Sequence, residues 1–361
     1  MRVQAAFSAA LVLCLAGCAA PGPAVLRFGF DESPQGKRLM WPAEPEVPRY
    51  LYAGVLIGEA NFKRPGEETM ESVAGLLAWL AGLIAGDASP LELRRPNAGV
   101  VDLNGRILIT DSSRQAVIVF DPVLGKLETW ERAEGLSNFQ SPVGIAATPD
   151  GHVFVADADL GIVVHLDASG APLRAFGRAS LRRPTGLAYD PATNELYVAD
   201  TQSHDIKVFD SQGAVLRVIG RRGEAEGEFN FPTHLAFADG LLYVTDTMNS
   251  RVQVISRDGK TVHRSFGERG LYVGNLVRPK GIAVDTEGNV YVVESYHDHL
   301  LVFNRYGEFL MAIGGAGQEV GKFFLPSGVW TDRLNRVFVA DMFNGRVVLF
   351  QHLGGGADGE Q

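Results

Sequence analysis

Six prolines punctuate the chain at near-equal intervals: Pro96, Pro142, Pro184, Pro232, Pro279 and Pro326, with steps of 46, 42, 48, 47 and 47 residues. Each opens a short apolar run, as in Pro142-Val143-Gly144-Ile145-Ala146 and Pro279-Lys280-Gly281-Ile282-Ala283. A period of 40 to 50 residues with strand-rich content is what the blades of a β-propeller impose on a sequence, because each blade is one small sheet that buries its faces only against its neighbours. This period overrides the expectation of two domains that 361 residues would otherwise suggest.

The same grammar recurs inside each repeat. A turn rich in Asp, Asn and Gly follows the first apolar run, as at Asp150-Gly151, Asp239-Gly240 and Glu287-Gly288-Asn289; these residues suit a tight hairpin. A second run then ends in a carboxylate five times out of six as Asp (Asp111, Asp157, Asp200, Asp246, Asp341) and once as Glu294. The second runs, such as Val153-Phe154-Val155-Ala156-Asp157, are apolar at almost every position. That pattern is expected of a strand covered on both faces. A third strand follows (Ile206 to Phe209, Val252 to Ile255, Leu301 to Phe303), and the fourth closes on glycine, as at Gly220 and Gly314.

Pro-x-Gly-Ile-Ala, Val-Tyr-Val-Ala-Asp, Asp-x-x-Asn-x-Arg (Asp246 to Arg251, Asp341 to Arg346) and a fourth strand ending in Phe-Gly or Ile-Gly together resemble the NHL repeat. The resemblance covers residues 96–352 and implies an all-β, six-bladed NHL-type β-propeller. Blades 1 and 2 depart from the pattern, with Gln115 and Gly161 where the Asn-x-Arg element belongs, and blade 5 departs at Glu294. The sixth repeat holds only three strands, and an open ring would leave an unpaired edge. Residues 49–58, with Tyr50-Leu51-Tyr52-Ala53-Gly54 in fourth-strand pattern, are therefore expected to close blade 6 from the N-terminal side.

Four segments surround or interrupt the blades. Arg2 and the apolar stretch Ala5 to Ala16 read as an export signal. Leu15-Ala16-Gly17-Cys18 resembles the lipobox of bacterial lipoproteins, which implies cleavage after residue 17 and acylation of Cys18. Three acyl chains exceed what stable anchoring needs, and Ala19 in place of Asp implies the outer membrane as destination. Residues 18–48, rich in Pro and Gly, read as a tether, and 353–361 as a disordered tail. Residues 67–86 have helical composition and are apolar around the whole circumference from Val73 to Ile84. Such a helix needs a cover, whether the propeller, a partner protein or the membrane.

The chemistry is sparse. Cys14 and Cys18 are the two cysteines, so the folded body has no disulfide and no thiolate metal site. A net charge of −9 and export argue against nucleic-acid binding. Six-bladed relatives include peptide-amidating lyases, which carry zinc-ligand histidines directly after the strand-opening proline; here those positions are Asn97, Val143, Thr185, Thr233, Lys280 and Ser327. Gluconolactonase-like propellers imply a carboxylate-rich calcium site in the channel, and no such set can be placed. The aspartates ending the second strands read as turn and blade-to-blade hydrogen-bonding groups.

In a propeller the blade-to-blade loops and the turns between second and third strands emerge on one face, called here the top. That face is expected to carry His204, His234, His297 and His299, candidate zinc or calcium ligands. It also carries Arg182, Arg183, Arg221, Arg222, Arg278 and Lys280, candidates for an anionic partner. The favoured reading is a non-catalytic, cofactor-free binding or scaffolding lipoprotein with an envelope protein or anionic group as partner. The alternative is a metal-assisted lyase or hydrolase using the histidines. Cys18→Ser should abolish acylation and leave unprocessed precursor, read by mass spectrometry of the membrane fraction; normal processing of that variant would remove the lipoprotein reading.

Overall fold

The computed structural model describes residues 24–28, 38–63, 90–135 and 137–354. Six antiparallel sheets stand radially around a central channel. Blade 3 shows the plan: an inner strand Pro184–Asp190, then Glu195–Asp200, Asp205–Phe209 and the outer Val215–Ile219, hydrogen-bonded in that order. Blades 1, 2, 4 and 5 repeat it, with inner strands Pro96–Val101, Pro142–Ala147, Pro232–Ala238 and Pro279–Val284. Proline suits the first position because it has no N–H to give the ladder, and a register shift follows it in each of these blades.

Burial follows radial position. Second strands such as Ile107–Asp111, Val153–Asp157 and Val290–Glu294 are buried along their full length, while the outer strand Val215–Ile219 is mostly exposed. The core is consequently a set of clusters between adjacent blades; one joins Val153, Val155 and Val164 of blade 2 to Leu108, Val117 and Val119 of blade 1. At the centre the inner strands approach so closely that a Cβ on Gly144 would overlap the Thr185 carbonyl oxygen, and one on Gly186 would overlap backbone at Thr233 and His234.

The carboxylate ending each second strand fastens its blade to the preceding loop. Asp157 accepts the N–H groups of Gln140 and Ser141 from that loop, and of Asp159 and Leu160 from the following turn. Asp111 holds Arg94, Arg95, Ser113 and Arg114 in the same way. In blades 4 and 6 side chains replace the turn N–H groups: Asn249 and Arg251 donate to Asp246, and Asn344 and Arg346 to Asp341. The Asn-x-Arg element is thus one of several ways to satisfy a buried carboxylate, blade 3 using the Ser203 hydroxyl and the Lys207 ammonium on Asp200. Its absence at Gln115 and Gly161 reflects another of them. Glu294 performs the role in blade 5, accepting from Arg278 N–H and His297 N–H.

Blade 6 consists of Val329–Thr331, Arg336–Asp341 and Arg346–His352, closed by Tyr50–Leu56 from the N-terminal side. Met40–Trp41 adds a fifth strand outside it. The stretch expected as a tether is therefore partly docked: Val25–Leu26 pairs with Phe62–Lys63, and Trp41 packs edge-on against Phe350. Apolar side chains among the prolines and glycines, Leu26, Phe28, Leu39 and Trp41, join the core clusters and hold it there. The inserted helix expected over 67–86, the signal over 1–17 and Cys18 lie outside the described residues. So does the expected tail beyond residue 354.

Asp157 is fully buried and holds four backbone N–H groups without a cationic partner. Asp157→Ala should lower unfolding free energy by about 3 kcal/mol, since each hydrogen bond to a charged group contributes roughly 1.5–3 kcal/mol and the donors become orphaned. Urea unfolding checks this; a change under about 0.5 kcal/mol would contradict the clamp.

Candidate functional site

The residue after each opening proline sits at the top rim of the channel. In blades 3 and 6 it bears a hydroxyl that joins one blade to the next, whereas the Thr233 hydroxyl stays within blade 4, on Thr245 and Thr247. Thr185 donates to the Thr233 carbonyl and Ser327 to the Asn97 carbonyl. Blade 5 breaks this pattern with Lys280, whose ammonium has neither an ion-pair nor a hydrogen-bond partner among the described residues. Burial, then the nearby Arg278 charge, pushes the proton affinity of Lys280 below that of an ordinary lysine.

The next position is glycine in blades 2, 3, 5 and 6 but His234 in blade 4. Its N–H donates to Thr245 Oγ1, and the same hydroxyl donates back to the His234 carbonyl. Thr110 serves Ala98 identically in blade 1, the other blade lacking that glycine. The His234 Nδ1 is buried without a partner. Burial, then the charge of Lys280, lowers its pKa to about 3. Burial thus disfavours the charged form of both side chains.

Below this rim the channel is a cavity of about 250 Å³. Its wall is made of inner-strand Gly, Ala, Val, Ile and Leu, with His234, Tyr189, Phe237, Trp330 and Thr331 as the functional or bulky exceptions. Trp330 stands where the other repeats carry Val100, Ala146, Ala188, Ala236 and Ala283. Its ring lies over Gly99, where a Cβ would collide with it, and its Nε1–H is buried without an acceptor.

The four candidate histidines do not share one site. His204 occupies a left-handed turn position, and its Nδ1 accepts the Phe231 N–H. His234 faces the channel. His297 Nδ1 lies 2.9 Å from Glu294 Oε2, and His299 begins the third strand of blade 5. Those two share a pocket of about 50 Å³ with Glu294 and residues 271–275. Among the described residues no group of three or more His, Cys, Asp or Glu side chains is placed to hold a metal ion. The calcium implied by gluconolactonase-like propellers also finds no fit: calcium takes oxygen ligands, chiefly carboxylates and carbonyls, and among the described residues no Asp or Glu lines the channel. The zinc or calcium expectation is not supported by this donor geometry.

The basic candidates divide. Arg183 pairs with Asp159 and Arg221 with Glu228, whereas Arg182, Arg222 and Arg278 are exposed and make no ion pair among the described residues. Beside them the top face presents large apolar side chains: Leu271 is 86% exposed, Tyr272 84% and Val273 63%, accompanied by Phe231, Met248 and Tyr296. Sequence reasoning missed two features. One is Trp330, legible as the single large residue at its repeat position. The other is the His152–His165 pair, 2.9 Å apart with His165 stacked on Phe154; these residues come together only through strand pairing, and burial lowers the His165 pKa to about 4.

A family model described as the SMP-30/Gluconolactonase/LRE-like region matches residues 99–334. Protein brain tumor of Drosophila melanogaster is 30% identical over 134 residues, which are 36% of this chain and 12% of that protein. NHL repeat-containing protein 2 of Bos taurus is 31% identical over 160 residues, 35% of this chain and 22% of that protein. The matches thus span less than a quarter of these relatives' length. Among solved structures a streptogramin B lyase superposes with a TM-score of 0.54 at 12% identity, covering 72% of this chain and 94% of that one; at that identity the likeness is one of fold.

His234 and His165 are neutral in the folded state and titrate near 6.5 when unfolded. Their contribution is present above about pH 6.5 and lost as pH falls towards 4, because the unfolded chain then binds more protons, at up to about 1.4 kcal/mol per pH unit per histidine. Urea unfolding between pH 6.5 and 4.5 should show a smaller loss in His234→Gln than in the unsubstituted protein. Equal losses would contradict a neutral His234.

Proposed function

The chain belongs to the SMP-30/gluconolactonase/LRE-like family, and on that premise we propose that it is a non-catalytic binding propeller, held at the bacterial envelope through Cys18. Its contact surface is the top face of blades 4 to 6. The observation that carries this reading is the coincidence of exposed Leu271, Tyr272 and Val273 with the unpaired cations Arg222 and Arg278 on the same face. Aromatic and arginine side chains are the types enriched at interface centres. Clustered exposed apolar residues mark interaction sites more often than chance surface.

The reading as a metal-assisted lyase or hydrolase has less support. It requires His204, His234, His297 and His299 to converge, and they fall into three separate environments, with only His297 and His299 sharing one. Membership of an enzyme-containing family is a fold-level argument and does not transfer chemistry to a site that lacks the residues for it.

The partner is an envelope component with an apolar, acidic contact surface. Tyr272→Asp with Val273→Asp should reduce capture of that component from solubilised envelope at least tenfold while leaving the melting temperature unchanged, since both side chains are exposed. Undiminished capture by the double variant would move the contact surface elsewhere. Turnover of lactones that is lost on dialysis against chelator, restored by added zinc or calcium and lost in His234→Gln would replace the binding reading by the metal-assisted one.

A further inference from the structure

On the bottom face, opposite the top, first strands turn into second strands and third strands into fourth. There a separate set of exposed apolar side chains gathers on the adjoining blades 6 and 1. In blade 1 they are Leu103, in the turn between Pro96–Val101 and Ile107–Asp111, and Val123 and Leu124, in the turn between Ala116–Asp121 and Lys126–Trp130. In blade 6 it is Leu334, in the turn between Val329–Thr331 and Arg336–Asp341. Clustered exposed apolar side chains mark protein or membrane contact sites. Val123 is 71% exposed and Leu334 68%, much like Val273 on the top, so exposure alone does not distinguish what covers the two faces. The place where the chain enters the fold does.

Residues 24–28 run between those turns. Ala24 rests on the turn that carries Val123 and Leu124: a Cβ on Gly125 would overlap the Ala24 carbonyl oxygen. At the other end of the segment the Phe28 ring centre lies 5.7 Å from the guanidinium of Arg336, which adjoins Leu334 in the blade 6 turn. Cys18 stands six residues before Ala24. Six fully extended residues reach at most about 22 Å, so acyl chains on Cys18 would hold the bottom of blades 6 and 1, and not the top of blades 4 to 6, close to a lipid surface. The carboxylates of these turns do not oppose that approach. Asp102, Asp121 and Asp332 are turned inward, each accepting N–H groups of its own turn, and Arg106 and Arg336 pair with the first and the last. Lys63 and Arg333, by contrast, are exposed and make no ion pair among the described residues. Lysine and arginine beside a membrane are drawn to anionic headgroups.

We propose that the acylated protein sits with the bottom face of blades 6 and 1 on the phospholipid surface, Leu103, Val123, Leu124 and Leu334 entering the interface beside the acyl chains of Cys18. Lipid chains and an apolar protein surface are complementary membrane signals. The acyl chains supply attachment, and the side chains supply orientation: the short tether fixes which end is near, and apolar contacts on separate turns fix the tilt. The top face of blades 4 to 6 then points away from the membrane, where a partner can reach it. This orientation rests on the anchoring at Cys18 proposed above and goes beyond it by naming the surface that meets the lipid.

Single introduced cysteines test the orientation on the mature acylated chain, in which Cys14 has left with the signal and the Cys18 sulfur is blocked by lipid. Leu124→Cys, Leu334→Cys and Tyr272→Cys, all at exposed positions, are each labelled with a nitrobenzoxadiazole fluorophore and reconstituted in vesicles of phosphatidylethanolamine and phosphatidylglycerol. Nitroxide-bearing lipid should quench the Leu124→Cys and Leu334→Cys labels at least about threefold more strongly than the Tyr272→Cys label, because apolar groups bound at an interface lie about 5–10 Å into the boundary of headgroups and acyl chains. Adding Leu103→Asp and Val123→Asp should bring quenching of the Leu334→Cys label down towards the Tyr272→Cys level. Equal quenching at the three positions, stronger quenching at Tyr272→Cys, or quenching of Leu334→Cys unmoved by the two aspartates would overturn the proposal and leave the bottom patch to a protein partner. Mass spectrometry of the same preparation separates this from failure of the anchor: a Cys18 without acyl chains removes both readings, whereas an acylated Cys18 with equal quenching removes the orientation alone.

Discussion

The propeller depends on a buried carboxylate at the end of each second strand. A blade is a small sheet that cannot bury both faces alone, and its position in the ring is set by the loop that leads into it. At Asp111 and Asp157 that loop is held by backbone N–H groups, and at Asp246 and Asp341 Asn and Arg side chains assist. A charge buried without partners would be prohibitive. Here each carboxylate converts that penalty into geometry, because only the correct loop conformation supplies enough donors. The glycines of the inner strands complete the arrangement by letting neighbouring blades touch at Thr185 and Thr233.

This division of labour explains where function can reside. Positions that every blade uses for clamping or close approach are fixed by structure. Positions where one blade departs without a structural reason are available for recognition. Lys280 replaces residues that include the bridging Thr185 and Ser327, and His234 replaces a close-packing glycine with Thr245 repairing the backbone, whereas Trp330, where Ala or Val stands elsewhere, has a structural reason in its stacking on Phe338. His234 and Trp330 line the channel. The six-fold ring supplies the reference against which these departures stand out.

Much of this architecture was legible in the sequence. The proline period gave the number of blades, the uniformly apolar second strands gave their double burial, and the missing fourth strand of the last repeat pointed to Tyr50–Leu56. The docking of Leu26, Phe28 and Trp41 was hidden by the prolines and glycines around them, which read as linker although a few apolar side chains were enough to pin the chain. The candidate site was only half legible. His204, His234, His297 and His299 share a face, yet proximity on a face is not convergence on a point: His204 serves Phe231, His297 serves Glu294, and His234 turns into the channel. Pairing such as His152 with His165 depends on register, which a linear reading does not resolve at single-residue scale.

With apolar walls and no Asp or Glu among its described lining residues, the channel should hold neither calcium nor zinc. Thermal unfolding of the full chain, run with chelator and then with calcium or zinc at increasing concentration, tests it most directly. A ligand at one hundred times its dissociation constant stabilises by about 2.7 kcal/mol, a shift of several degrees for a protein of this size. The account predicts melting temperatures that agree within about one degree with and without either metal. A saturable rise of several degrees at one equivalent, lost in His234→Gln, would contradict it.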